Sequence, residues 1–478
     1  MLFHSLQFAV FFLIVYNLYL ALPHKWQNRT LLLASYVFYG AWEWRYLGLI
    51  FLSTLCDYCC GLGIQNSKNK NQRKKIIAVS VFFNLSLLGI FKYYDFFAMN
   101  LRELLSGFGI GVQPYLLELA LPVGISFYTF QTISYTIDVY RGELKAERNF
   151  FDFALYVSFF PQLVAGPIER GVRLLPQLRV PRILDAVKIY HGVYLFLWGI
   201  FLKVFIADNL SGMVDPVYSS EGPYNGAEVL LATYAFSFQI YCDFAGYSFM
   251  AIGLGLMMGI ELIENFRRPF FSKNIAEFWR RWHISLSNWF RDYVFFPFYF
   301  YLRNGKSFKK IPIRIRHALA FLISLLSSVY LLGLWHGAGW NFGYFGLYHG
   351  VMIATYYIVR RYWDKMNSYL QIFLTFQLAC IGFMIFRTSS LDQFFEMFHS
   401  VWFNFKIVPD MNYLDQVLKF SSFIIILVSI QVFQDLKDDT LAMIRLPLIP
   451  RYFFVSMLII LTVYCGKFEG KPFIYFQF

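Results

Sequence analysis

The chain has 478 residues, of which 58% are hydrophobic, 21% aromatic and only 15% charged, with a mean hydropathy of +0.49 and a formal net charge of +13. A soluble globular domain carries about 25% charged residues, and apolar stretches long enough to cross roughly 30 Å of hydrocarbon recur along nearly the whole length, which excludes a sizeable soluble domain. The basic excess would point to nucleic acid in a soluble protein; here it falls in short connections between apolar segments, the positive-inside pattern of a membrane protein with no nucleic-acid partner.

In chain order the predicted membrane segments are 6–22, 30–42, 45–63, 76–98, 115–140, 184–207, 226–247, 283–302, 317–335, 342–359, 368–387, 417–434 and 451–466. They amount to roughly ten to thirteen crossings of a single all-α polytopic domain over 1–478, with the motifs that bear on chemistry in about 120–360. The first segment has no charged region before it and no small-residue cleavage site after it, so it reads as a retained helix ending at Pro23. Shorter apolar pieces at 152–168, 248–260 and 391–404 carry Pro161, Pro167, glycines or many aromatics, and read as re-entrant or interfacial helices shielded by protein.

The connection 64–75, with Lys68, Lys70, Arg73, Lys74 and Lys75, is expected to be cytoplasmic. A second basic connection at 303–316 includes Lys306, Lys309, Lys310 and Arg314, and a third group is Arg170, Arg173, Arg179 and Arg182. The stretch 208–225 carries Asp208, Asp215 and Glu221 without Lys or Arg and is expected outside. The six cysteines, Cys56, Cys59, Cys60, Cys242, Cys380 and Cys465, lie mostly in apolar runs without paired zinc-knuckle spacing, and are assigned to packing.

The basic connection at 303–316 also relates two histidines, because His283 lies 20 residues before it and His336 20 residues after it. At about 1.5 Å per helical residue each arm covers roughly 30 Å, shortened by tilt and interrupted by Pro297 in the first. Both histidines are therefore expected at a similar depth, in the middle or outer half of the membrane. The segment 317–335 runs outward, 337–341 reverses the chain, and 342–359 returns to bring Arg360 and Arg361 to the cytoplasmic side, with His349 partway along.

An ionisable side chain inside a bilayer costs on the order of 2.5–3.5 kcal/mol when charged, which makes it a functional candidate by default. The densest polar cluster runs from Trp279 to Tyr293 and includes Arg280, Arg281, Trp282, His283, Ser285, Ser287, Arg291 and Asp292. As one helix it stacks Ser287 and Arg291 above His283; the alternative is an amphipathic helix entering from the interface, anchored by Trp and Arg. The second constellation is Gly333-Leu334-Trp335-His336-Gly337-Ala338-Gly339-Trp340-Asn341, where small residues permit close backbone approach and tryptophans wall a pocket.

A neutral imidazole there suits acyl transfer, taking the proton from an alcohol as its oxygen attacks a thioester carbonyl, with a second polar group to polarise the carbonyl or orient the first ring. A hydrogen-bonded structural histidine is the plain alternative. Metal binding lacks an HExxH pattern or a cysteine–histidine set. His349 sits in ordinary aromatic surroundings as an auxiliary candidate, while His4, His24, His191, His317 and His399 lie near termini or segment ends. Asp243 is a buried-carboxylate candidate whose expected partner is an arginine of the Trp279 to Tyr293 cluster.

At these residues the chain resembles the membrane-bound O-acyltransferase family, in the bacterial branch that includes alginate O-acetyltransferase membrane subunits and D-alanyl-lipoteichoic-acid transfer proteins. The resemblance covers nearly the whole length. Besides Leu334-Trp335-His336-Gly337 and the Trp279 to Tyr293 stretch, it rests on Gln27-Asn28 with Phe38-Tyr39-Gly40-Ala41-Trp42, on Phe127-Tyr128-Thr129-Phe130-Gln131 running into Tyr135-Thr136-Ile137-Asp138-Val139-Tyr140-Arg141, and on Phe159-Phe160-Pro161-Gln162 with Ala165-Gly166-Pro167-Ile168.

The resemblance implies a ring of tilted helices around a thin centre where a cytoplasmic donor tunnel meets an outer funnel, with His336 the catalytic histidine and His283 its partner. It implies no bound cofactor, acetyl-coenzyme A as donor, and a secreted or cell-wall glycan as acceptor. It also implies an exported SGNH-type partner, surrounding membrane lipid and a bacterial inner-membrane location. The terminal Phe473-Ile474-Tyr475-Phe476-Gln477-Phe478 favours the polysaccharide O-acetyltransferase group. D-alanyl transfer from a phosphopantetheinyl carrier protein is the alternative within the family. A transporter or polymer-export channel is the alternative of another class, for which paired broken helices in the two halves are not seen.

Overall fold

A computed structural model describes residues 1–164, 166–305, 310–407, 410–468 and 473–474. Ala165, Lys306 and Lys309, and Tyr475 to Phe478 of the terminal motif, lie outside the described residues. Among the described residues there is no strand. That is the expected outcome for backbone in hydrocarbon, where a helix satisfies every N–H and C=O internally.

The helices fall into two compact units, Met1–Val193 with Met250–Ile263, and Tyr194–Phe249 with Glu264–Phe478. The first contains α1 (Leu6–Ala21), α2 (His24–Glu43), α3 (Leu47–Asn66), α4 (Lys70–Leu88), α5 (Tyr94–Gly107), α6 (Ile125–Arg141), α7 (Phe150–Ser158), α8 (Phe160–Leu163) and α9 (Gly171–Arg179). α10 (Ala186–Ile200) begins in it and continues into the second.

Buried polar side chains knit α3, α4 and α6 together. Asn84 Nδ2 donates to Asp57 at 2.7 Å, Ser53 Oγ donates to Asn84 Oδ1 at 2.7 Å, and the Ser80 and Thr136 hydroxyls meet at 2.9 Å. Without aqueous competition such bonds hold helices that have no hydrophobic drive to associate. Asn28 on α2 donates to Asp152 on α7 and to the Leu178 carbonyl on α9.

The second unit holds α11 (Asp208–Tyr218), most of α12 (Gly226–Met257), α13 (Ile275–Arg281), α14 (Ile284–Phe290), α15 (Phe296–Asn304), α16 (Ile313–His336), α17 (Trp340–Trp363), α18 (Ser368–Arg387), α19 (Leu391–Phe403), α20 (Met411–Leu436) and α21 (Leu448–Cys465). α16 and α17 form its tightest pair. A Cβ at Gly333 would lie 2.1 Å from the Phe342 carbonyl oxygen and one at Gly346 2.3 Å from that of Val329, so both positions must be glycine for the backbones to touch.

Eight helical stretches among the described residues are long and apolar enough to cross a membrane. The expected segments 30–42 and 45–63 correspond to α2 and α3, separated by an extended Glu43 and the 3-10 turn Trp44–Tyr46 inside the single stretch His24–Asn66. The 16-residue α1 is shorter than these stretches, and α17 is not among them.

Four expectations change. Residues 115–124 are not helical: α6 starts at Ile125, after Pro122 and after Gly124 at φ +76°, where a Cβ would meet the Leu163 carbonyl at 2.5 Å. The stretch 208–225, read as a connection between membrane segments, is helical up to Tyr218, since α11 continues a π-helical turn at Phe201–Ala207 and Asp208 is buried in an ion pair. α12 runs on to Met257 and absorbs most of the piece at 248–260. The segment 283–302 breaks into α14, a π-helical turn at Arg291–Phe295 and α15.

Candidate active site

His283 does not lie on a helix, as the stacking of Ser287 and Arg291 above it required. It caps α14 with φ +42° and ψ +54°, a left-handed conformation uncommon for a side chain other than Asn, Asp or Gly. The reason is visible next to it, where Asn265 grips the turn. The Asn265 carbonyl accepts Ile284 N–H at 2.9 Å, and its Oδ1 accepts Ser285 N–H at 3.2 Å and Ser285 Oγ at 2.9 Å.

Because Ser285 N–H is only a donor, the Asn265 oxygen must face this side, and its amide nitrogen then reaches Ser248 Oγ at 3.2 Å. The same Oδ1 lies 3.3 Å from His283 Nδ1, so Nδ1 carries the proton and Nε2 is the basic nitrogen. His283 is fully buried.

His336 closes α16, and the extended Gly337 that follows leaves no room for a Cβ, which would sit 2.0 Å from the Phe342 ring. Trp335 touches both histidines, with ring centroids 5.9 Å from His283 and 5.1 Å from His336. The two histidines thus meet across Trp335. Phe345 and Phe386 wall His336 at 5.9 and 5.4 Å, and Phe244 stands edge-on to His283 at 4.6 Å.

A cavity of about 210 Å³ lies one helical turn from His336, lined by Trp279, Ser287, Arg291, Ser328 and Leu332 among others. Trp279 connects it to the histidines, packing on Phe345 at 6.1 Å and on His349 at 5.1 Å. His349 is fully buried between Phe278 and Phe345, and its Nε2 would be 2.4 Å from a Cβ at Gly382.

Other sequence candidates serve elsewhere. Arg281 pairs with Glu277 at 2.6 Å and Asp435 at 3.4 Å, and Trp282 is core, packed on Phe278 and Phe383. Arg280 is exposed. Ser287 Oγ caps the Trp282 carbonyl, and Arg291 pairs with Asp292 at 2.7 Å. Asn341 staples α17 to the Phe386 and Thr388 carbonyls. Gln131 lies in the first unit, where it donates to the Tyr156 carbonyl.

Asp243 is not paired with an arginine of the cluster. Its partner is Lys203, at 2.7 Å, which also binds Asp208 at 2.8 Å. Sequence reading missed Asn265 and Lys203. Asn265 follows the end of an apolar helix and leads into Arg267, Arg268 and Pro269, a polar break that was a usable signal; Lys203 sits inside an apolar run, where a lone cation calls for a buried anion.

Residues 36–391 match the membrane-bound O-acyltransferase family, MBOAT. The chain belongs to that family. It is 38% identical over 417 residues to a probable alginate O-acetylase, AlgI, of Azotobacter vinelandii, covering 86% of this chain and 80% of the relative. It is 33% identical over 400 residues to a peptidoglycan O-acetyltransferase of Helicobacter pylori, covering 77% and 72%. A teichoic acid D-alanyltransferase of Bacillus subtilis is 33% identical over 277 residues, covering 55% and 68%. This MBOAT protein is a multi-pass membrane O-acyltransferase, and the matched stretch contains both histidines, Trp335 and Asn265.

Proposed function

We propose that the protein moves an acetyl group from cytoplasmic acetyl-coenzyme A across the bacterial inner membrane toward hydroxyls of a secreted or cell-wall polysaccharide. The observation that carries this reading is the meeting of two buried histidines at Trp335, with a cavity of about 210 Å³ nearby. His336 acts as general base. It takes the proton of the acceptor hydroxyl as that oxygen attacks the thioester carbonyl; the C–S bond then breaks, and the thiolate leaves and is protonated.

His283, with its proton on Nδ1 and a basic Nε2, is suited to relaying a proton or an acyl group. With the proton so placed it does not polarise the carbonyl from Nε2. The aromatic lining excludes water that would otherwise hydrolyse the acyl group. Acetyl is preferred over D-alanyl because the O-acetylase relatives match more of the chain, and an exported SGNH-type partner completes delivery to the glycan.

The test is donor turnover by purified protein with radiolabelled acetyl-coenzyme A and its exported partner. His336→Ala abolishes turnover in folded protein, and His283→Asn, which tolerates the left-handed backbone, reduces it at least tenfold. Undiminished turnover in His336→Ala removes the base. Turnover only with a charged carrier protein transfers the reading to D-alanyl chemistry.

A further inference from the structure

Between Asn265 and Ile284 the chain makes an excursion through a 3-10 turn at Pro269–Phe271 and α13, and the two arms meet in a pair of backbone bonds. Ile284 N–H donates to the Asn265 carbonyl at 2.9 Å, and Arg267 N–H to the Arg281 carbonyl at 2.9 Å. His283 lies in the returning arm between those two bonds, so its place depends on how firmly this neck is closed.

An arginine flanks the neck on each arm, and both reach the same oxygen. Arg268 Nε donates to Asp435 Oδ1 at 3.1 Å and Arg281 Nη1 to that atom at 3.4 Å, with Asp435 in the last turn of α20. Arg268 Nη2 also donates to Asp438 Oδ1 at 2.7 Å, just past the helix end, and Arg281 pairs with Glu277 at 2.6 Å. Only 5% of the Arg268 side chain is exposed, and a guanidinium so buried requires its carboxylates.

The backbone is strained around the same neck. Among the described residues, four other than glycine have positive φ, namely Glu118, Arg268, His283 and Asp438. Three of the four belong to this assembly, Arg268 at +44°, His283 at +42° and Asp438 at +45°. Such conformations persist only where the surroundings over-determine them, and they cluster at functional sites.

We propose that Asp435, Arg268 and Arg281 form a clasp that closes the neck and so fixes the His283 ring at the transfer site. They are positioning residues; none touches the reacting atoms. The single oxygen shared by the two arginines is what joins the outgoing arm to the returning one through side chains. The clasp rests on the reading of His283 as a working residue of the transfer site.

Asp435→Ala and Arg268→Gly are compared with wild type and with Asp415→Ala, which breaks an exposed ion pair with Lys419 elsewhere on α20. Glycine at 268 keeps the left-handed backbone while removing the guanidinium. The readouts are kcat and KM for acetyl-coenzyme A with the exported partner, and the rate at which diethyl pyrocarbonate modifies His283, followed by peptide mass spectrometry. Both clasp variants lower kcat at least fivefold with KM within about twofold, and both speed modification of His283 severalfold. Asp415→Ala matches wild type in both readouts. Arg268→Lys, which keeps the charge without the planar fork that serves two carboxylates, falls between.

Unchanged modification of His283 in both clasp variants overturns the clasp, whether or not kcat falls. Faster modification with unchanged kcat supports the clasp and overturns the role of His283 in turnover. Where acetyl-coenzyme A gives no turnover even in wild type, the modification rates still decide: their rise supports the clasp while the reading of the donor fails. A variant that does not fold is replaced by Asp435→Asn, which removes the charge at nearly constant volume; faster modification supports the clasp and a wild-type rate overturns it.

Discussion

The residue on which most of the site depends is Asn265, whose carboxamide is shared by Ser285 N–H, Ser285 Oγ and His283 Nδ1. It holds His283 at a positive φ that costs about 1–3 kcal/mol and persists only when the surroundings over-determine it. Asn265→Ala leaves buried donors without their acceptor, a loss of about 1–3 kcal/mol. We expect a lower unfolding midpoint in detergent and a fall in turnover of at least tenfold at temperatures where the variant is still folded. A variant that loses stability but keeps wild-type turnover shows that the ring needs no orientation from Asn265. At this scale the sequence singled out the two histidines that meet at Trp335 and was less informative about how they are held. Histidine in an apolar run is conspicuous, whereas the asparagine beside its ring is 18 residues away in sequence and marked only by the polar break before Pro269.

At the scale of elements, the α16–α17 hairpin brings His336 to Trp335 and presents Phe345 to both His336 and His349. Its geometry depends on backbone contact through Gly333 and Gly346, so Gly346→Ala forces the helices apart, at a cost of about 1–3 kcal/mol, and reduces turnover. Gly48 on α3 has nothing within 4 Å of a would-be Cβ, and Gly48→Ala is neutral or stabilising by up to about 1 kcal/mol. Thermal unfolding of the two variants checks the contrast; equal effects contradict the packing argument. The ends of this hairpin at its reversal and of α18 were legible because apolar runs and the glycine-rich reversal at 337–341 coincide with real helix ends. α11 was not, because Asp208 looks like a solvent residue until Lys203 is placed beside it. The break before α14 was missed because a left-handed histidine leaves no mark in hydrophobic periodicity.

For the whole molecule, composition alone excluded a soluble protein, and the family match extends through residues of both compact units. The ends of the segments were harder to place, since α4 and α5 join through a π-helical turn at Gly89–Tyr93 that leaves no mark in the hydrophobic pattern. The function proposed for the molecule is vectorial: a donor on one side, an acceptor on the other, and a site between them. The most direct measurement reconstitutes the protein in vesicles with radiolabelled acetyl-coenzyme A inside and the exported partner with its glycan outside. Label reaching the glycan with wild type and not with His336→Ala, while the coenzyme stays enclosed, is the result the account predicts. Label reaching the glycan equally in both contradicts it.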